Sequence, residues 1–330
     1  MYVPAKSQDE LTTTPEGLRD TLERYGVAII PGVLDDEEVD EMKQGFWQFL
    51  GQLSANCKTP ITRQNKKTWS TFYSFKPMRG MLMQHWGVGH AQVLWNLRQN
   101  PKIVDIFSTL WNVPREELLV SFDGASFAFP HESTKVGEFD GTDKFHVDQA
   151  PTRPSFQCVQ SWVTAHDVRP GDSTLSVIEG SHKLLGEFCE TFNKEHITWD
   201  WYMLKEDEVE WYKRQGCVVR DITCPAGSMV FWDSRSIHYG KSALKDRPQR
   251  NFRAVAYLCY TPRSFATEDA LATKRDAFSW QATTSHCPHD PRLFKFKPKY
   301  FKTKMNVQIP PPKLTPLGRS LAGFVDNEMN

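Results

Sequence analysis

Between Leu118 and Tyr260 the chain is a run of short segments rich in Val, Phe and Trp, at 118–129, 143–149, 156–168, 173–178, 217–222, 228–232 and 250–260. Most are bounded by Gly, Pro or Asp, the residues that break or turn a strand. So many brief apolar segments, each followed by a turn, predict a largely antiparallel β core. The first third reads differently. Thr14-Pro15-Glu16 offers a cap with proline at the first helical position, predicting a helix to Tyr25 that Gly26 stops. Val27–Ile30 is a short strand closed by Pro31-Gly32, and Asp35 or Asp36 caps a second helix through Leu50. Residues 90–112 carry helical spacing in Val93, Leu94, Leu97, Ile103, Ile106, Phe107 and Leu110. Helices first and strands after predict helices packed outside a sheet sandwich or barrel. The expectation is one domain: a helical part over 1–115, a β core over 118–262 and a C-terminal extension over 263–330.

Within the β region one pair of residues carries chemistry. In Lys144-Phe145-His146-Val147-Asp148-Gln149, strand alternation sends His146 and Asp148 to the same face. The pair can offer an imidazole and a carboxylate to one ion. A second histidine must come from elsewhere, and His238 follows the strand-and-turn stretch Met229–Arg235. Two histidines and one carboxylate on one side of a metal leave open positions for a chelating cosubstrate and O2, the donor set of non-haem Fe(II) oxygenases. An HxD pair alone is weak evidence, because a histidine on a strand is more often a core or surface residue.

The surrounding residues sharpen the reading. The segment Trp162–Val168, followed by Gly171-Asp172-Ser173-Thr174-Leu175-Ser176-Val177-Ile178-Glu179-Gly180-Ser181-His182-Lys183, resembles the phytanoyl-CoA dioxygenase family, with its "G-x-L-x-V-x-P-G-S-H-K"-like run after an HxD. Two extra residues before Leu175, and Glu179 in place of the usual proline, depart from that pattern. Tyr25-Gly26-Val27 and Ile30-Pro31-Gly32-Val33-Leu34 look like the family's N-terminal opening. The resemblance covers about residues 18–260, and 261–330 match poorly.

The resemblance implies a mainly β fold with flanking α-helices: a double-stranded β-helix (jelly-roll, cupin-like) core with the N-terminal helices outside. It implies Fe(II) held by His146, Asp148 and His238, with 2-oxoglutarate and O2 as cosubstrates, succinate and CO2 as products, and ascorbate as a supporting reductant. Retention of Asp148 favours hydroxylation or desaturation over halogenation, since related halogenases lack this carboxylate. An arginine on the strand after the distal histidine would bind the far carboxylate of 2-oxoglutarate, a contact suited to a guanidinium fork. Arg253, inside the apolar strand, is favoured; Arg250, at its polar edge, is the alternative by spacing. Trp162 matches a tryptophan that the family places near the cosubstrate, and core packing explains it equally well.

Other features bound the reading. Lys+Arg and Asp+Glu are both 40, so there is no basic excess of the kind phosphate binding needs, and nucleic acid is not an expected partner. The patch Lys295–Lys304 reads as a solvated loop. Seven scattered cysteines without a CxxC pair fit reduced thiols. With no apolar leader or spanning segment, a cytoplasmic protein is expected. His182 reads as structural, and His85 and His90 as packing. His286-Cys287-Pro288-His289 lacks the spacing of a zinc site, Asp123 reads as part of a sharp turn, and Gly87-Val88-Gly89 is no phosphate loop. The expected substrate is a small metabolite selected by loops 52–90 and 184–216. A non-catalytic β-helix module, or an oxygenase of protein or nucleic acid, are the alternatives. Oligomeric state is not legible.

Overall fold

The computed structural model describes residues 2–135, 144–297 and 307–324. Helix α1 (Leu18–Tyr25) begins three residues later than its sequence signal, because Thr14–Gly17 is used in a turn in which Thr14 Oγ1 accepts the Gly17 amide at 3.4 Å. Gly26, at φ 78°, ends it in the left-handed conformation that glycine adopts without strain, and strand β1 (Val27–Ile30) follows. Helix α2 (Asp36–Ser54) starts on a reciprocal capping box: Asp35 accepts the Glu38 amide, and Glu38 accepts the Asp35 amide. Strand β2 (Leu82–Met83) precedes α3 (Gln92–Arg98) and α4 (Pro101–Trp111), the latter capped by Asn100 with proline at its first turn.

The predicted segment 118–129 is two strands, β3 (Leu118–Val120) and β4 (Ala125–Ala128), broken at Asp123-Gly124 and followed by the short α5 (His131–Thr134). Then come β5 (His146–Val147), β6 (Val159–Thr164), β7 (Thr174–Glu179), α6 (Leu185–Thr191), β8 (Tyr202–Met203), α7 (Glu206–Arg214) and β9 (Val218–Asp221). Strands β10 (Met229–Asp233), β11 (His238–Lys241), β12 (Arg253–Tyr257) and β13 (Tyr260–Pro262) lead to α8 (Glu268–Ser279) and α9 (Pro316–Leu321).

The strands form a six-stranded sheet, β1-β10-β6-β12-β4-β2, and a five-stranded sheet, β8-β5-β11-β7-β9, with β13 and β3 as a separate pair. Every neighbouring pair is antiparallel. This is a double-stranded β-helix with helices outside. Alternation explains the layers. Along β10, Met229 and Phe231 join the cluster under the helices, with Phe46 and Phe107, while Val230 and Trp232 face inward with Trp162, Val177 and Val255. Burying such side chains contributes roughly 1.5–3 kcal/mol each, so a one-residue slip that exchanged the two faces would be heavily disfavoured. A third cluster, including Phe145, Phe188 and Tyr212, covers the outer face of the smaller sheet.

Glu179, the departure from the family's proline, has a structural role. Its side chain is fully buried, and Oε1 accepts hydrogen bonds from Tyr2 Oη at 2.7 Å and the Ala5 amide at 2.6 Å, while Oε2 accepts from Arg220 Nε at 2.6 Å. The carboxylate pins the N-terminal arm onto the smaller sheet, a contact that proline cannot make.

Candidate metal and cosubstrate site

Strand pairing brings the two histidines together. Strands β5 and β11 are neighbours, and His146 stands directly opposite His238 in their register, with ring centroids 4.5 Å apart. Each ring is oriented by its own strand. His146 Nδ1 donates to the Lys144 carbonyl at 3.0 Å and His238 Nδ1 to the Ser236 carbonyl at 2.9 Å. A carbonyl only accepts, so both Nε2 atoms carry the lone pair, the tautomer that a metal ligand requires.

Asp148 lies one residue beyond the end of β5 rather than on the strand, yet its carboxylate reaches both rings. His146 Nε2 is 3.8 Å from Oδ1, and His238 Nε2 is 3.4 Å from Oδ2. The three ligand atoms lie within 4.8 Å of one another, and they are the one such group among the described residues. Gln160, on β6, donates to Asp148 Oδ2 at 3.1 Å and so fixes the carboxylate from behind. Burial lowers the His146 pKa to about 4, against the opposing pull of Asp148, so this imidazole stays neutral at pH 7. Burial opposes ionisation of Asp148, but the two adjacent histidines, His146 first, outweigh it and hold the carboxyl below its usual range.

The triad opens into a cavity of about 400 Å³ between the sheets, within the range of small-molecule sites. Arg253, the first residue of β12, lines it and is only 5% exposed, yet neither Nε nor Nη1 has a hydrogen-bond partner. Trp162 Nε1 and Ser126 Oγ, on the neighbouring strands β6 and β4, are also buried, unpartnered and on the cavity wall. The Arg253 guanidinium lies 5.7 Å from the Trp162 ring. A buried guanidinium without an anion is costly, so this cluster of idle donors fits an anionic ligand. Arg250 sits elsewhere. Its side chain is 68% exposed, it lies 3.7 Å from Glu132, and it does not line the cavity.

This geometry sits inside a recognised sequence pattern. Residues 22–250 match the model of the family described as Phytanoyl-CoA dioxygenase (PhyH). The chain belongs to the PhyH family. It is similar to the Ava biosynthesis cluster protein O of Aspergillus versicolor, with 28% identity over 298 residues, 86% of this chain and 91% of that protein. Among solved structures it resembles a putative oxidoreductase from Salmonella typhimurium LT2 (14% identity, 93% of this chain and 82% of that one, TM-score 0.58). It also resembles GlcNAc Inducible Gene 2 of Candida albicans (16% identity, 81% and 68%, TM-score 0.51). At these identities the structural likenesses speak to the fold.

The remaining predicted features find their places around this PhyH core. The expected specificity loops both reach the cavity, the first through Met78, Arg79, Met81, Leu82 and Gln84, the second through Asp200 and Trp201. A third wall was not anticipated. Residues 283–294, beyond the PhyH match, fold back as a hairpin in which the Ser285 amide donates to the Arg292 carbonyl and the Phe294 amide to the Thr283 carbonyl, both at 2.8 Å. Its Ser285, His286, Cys287, Asp290, Arg292 and Phe294 line the cavity.

His286, Cys287 and His289 do not form a metal group. His182 is buried with Nε2 3.0 Å from the Glu23 carbonyl, His85 pairs with the Lys295 carbonyl and His90 with that of Ala282, all away from the cavity. The close approach of Gly89 to the Phe122 carbonyl leaves no room for a β-carbon there. The seven cysteines are free thiols. Most of the 295–304 patch lies outside the described residues. No described helix is long and apolar enough to cross a membrane. Ser126 and Gln160 escaped sequence reasoning. Gln160 had a signal, since it shares a strand face with Trp162.

Proposed function

We propose that this chain is an Fe(II)- and 2-oxoglutarate-dependent dioxygenase that hydroxylates or desaturates a small-molecule metabolite, with release of succinate and CO2. The observation that carries the reading is one cavity holding both a two-histidine, one-carboxylate cluster and a buried, unpaired arginine. His146, Asp148 and His238 would hold the iron through two neutral imidazole nitrogens and a carboxylate. Arg253 would take the distal carboxylate of 2-oxoglutarate, with Trp162 and Ser126 as the flanking donors. The bound iron would supply the activation of O2 and the oxidation of an unactivated C–H bond, chemistry that no side chain provides.

The chain's own contributions are orientation, charge and dryness. The Lys144 and Ser236 carbonyls hold the two histidine tautomers, and Gln160 holds the carboxylate rotamer. Trp162, Trp232 and Leu175 make the inner wall apolar and keep water from the reacting face. Membership of a dioxygenase family and a cavity of small-molecule size support a metabolite as substrate.

The test is anaerobic reconstitution with Fe(II), followed by aerobic 2-oxoglutarate turnover with ascorbate present. Stoichiometric iron and uncoupled succinate formation are expected of the wild type, and loss of both from Asp148→Ala. A wild type that binds neither iron nor 2-oxoglutarate would remove the enzyme reading and favour a non-catalytic binding module.

A further inference from the structure

The cavity that holds the triad is also lined by a carboxyl group that the oxygenase chemistry does not use. Asp123 occupies the turn between β3 and β4 and lines the cavity, though only 6% of the residue is exposed. The Gly124 amide at 2.7 Å and Gln84 Nε2 at 3.4 Å both donate to the same oxygen, Oδ1. Neither hydrogen bond uses Oδ2, which leaves that oxygen as the acceptor available to a ligand in the cavity.

The turn that carries Asp123 is held from every side. Buried Arg98 donates through Nη2 to the Asp123 carbonyl at 2.6 Å and through Nη1 to the Gly89 carbonyl. A β-carbon on Gly124 would stand 1.8 Å from the Met83 carbonyl, so only glycine allows strand β2 to close on the turn. The C-terminal hairpin is stitched to the same place: the Phe122 amide donates to Thr284 Oγ1, and the Thr284 amide to the Phe122 carbonyl, both at 3.0 Å. That double contact sets His286 beside the Asp123 end of the chamber. Burial is the main cause that raises the Asp123 pKa, and the Gly124 amide, then His286, Gln84 and Arg98, partly offset it. A carboxyl so rigidly placed, desolvated and half-satisfied is arranged for a ligand rather than for the fold.

The chamber around it narrows the ligand class. Apart from the triad and Arg253, the charged lining residues are three carboxylates (Asp123, Asp200, Asp290) and two guanidiniums (Arg79, Arg292). Asp200 already accepts from the Ala150 amide at 2.8 Å and from Arg153, and Asp290 is exposed at the surface. Asp123 is the buried acid left over. Trp201, Tyr257 and Phe294 supply aromatic faces on the same wall system, surfaces that hold rings and favour an adjacent cation.

We infer that Asp123 is a specificity-determining residue: its free oxygen takes a hydrogen bond from the basic nitrogen of a ring-bearing, otherwise apolar substrate, against a wall closed by the hairpin 283–294. The inference rests on the oxygenase reading for what happens to that substrate, and on Asp123 alone for which substrate enters. An ammonium group donating to Oδ2 restores both the hydrogen bond and the counter-charge that burial removes from the carboxylate.

Three indoles of similar size test it: tryptamine, 3-ethylindole and indole-3-propionate, which carry a cation, no charge and an anion. Binding is measured by calorimetry on the apo protein and on the anaerobic Fe(II)·2-oxoglutarate complex. Tryptamine is expected to bind about 10- to 100-fold more tightly than 3-ethylindole, with indole-3-propionate weakest in the Fe(II)·2-oxoglutarate complex, where the cosubstrate occupies Arg253. Asp123→Asn, which keeps the shape and the Oδ1 acceptor, should erase that preference and leave iron and 2-oxoglutarate binding unchanged. Equal affinity for tryptamine and 3-ethylindole in the wild type, absence of tryptamine binding, or an Asp123→Asn variant that keeps the preference would each overturn the inference. The wild-type ranking decides the matter even if the variant does not fold. Loss of 2-oxoglutarate binding in the wild type refutes the oxygenase reading instead, and the apo arm still reads the amine preference.

Discussion

Replacing Arg253 with methionine removes the feature on which the proposed cosubstrate site rests, and two effects of opposite sign should follow. In the apo protein the guanidinium is buried, with Nε and Nη1 unpartnered. Two charge-assisted hydrogen bonds of about 1.5–3 kcal/mol each would form when a carboxylate arrives. The upper sum of about 6 kcal/mol is reduced because the incoming carboxylate gives up its own hydration, so about 3 kcal/mol is the working value, or roughly 100-fold in Kd. Arg253→Lys keeps the charge but loses the fork, and should lose about 10-fold. Arg250→Gln, on an exposed side chain, should change nothing. Stability moves the other way: methionine fills the site without an unpaired charge, so the thermal midpoint of apo Arg253→Met should stay level or rise. Affinity is read from the visible absorption of the anaerobic Fe(II)·2-oxoglutarate complex, and stability from a thermal melt. Undiminished affinity in Arg253→Met, or a loss on Arg250→Gln, would refute the assignment, and a marked fall in the apo midpoint would refute the account of an idle buried cation.

Two further predictions concern support rather than contact. Gln160→Leu removes the donor that orients Asp148 and should weaken iron binding about 10-fold, measured by chelator competition, with the fold intact by circular dichroism. Glu179→Ala frees the N-terminal arm and strips Arg220 of its partner, and should cost about 3 kcal/mol in urea melts; a loss under about 0.5 kcal/mol, the scale of an ordinary surface change, would mean the arm is not held there.

The legibility of this protein varied with the range of the interaction. Local signals served well where one residue's own chemistry decides the structure: Gly26 ending α1, Asp35 and Glu38 starting α2, and Asn100-Pro101 starting α4. They served less well where the sequence is permissive. The stretch 118–129 reads as a strand that turns sharply at 121–124, and it forms β3 and β4 on either side of that turn, while β2, which packs against the turn, is too short to announce itself. Strand β8 was missed for the same reason. At the candidate site the two histidines, Asp148 and the two candidate arginines were visible as residue types; Ser126 was not, since a serine on a strand has no distinctive spacing, and Gln160 was marked only by sharing a strand face with Trp162.

What the sequence determined alone was the candidate donor set and the turn-punctuated β character of the stretch that carries it. An imidazole and a carboxylate two residues apart, a distant histidine and a β-rich stretch with turn punctuation constrain the chemistry because side-chain periodicity is a property of each strand taken singly. Tertiary structure decided the rest. It distinguished Arg253 from Arg250 as the cavity arginine, buried Glu179 where proline is usual, and folded residues 283–294 back over the chamber beside Asp123. Each of these depends on burial and on partners far away in the chain, and desolvation by distant residues leaves no mark on the local sequence.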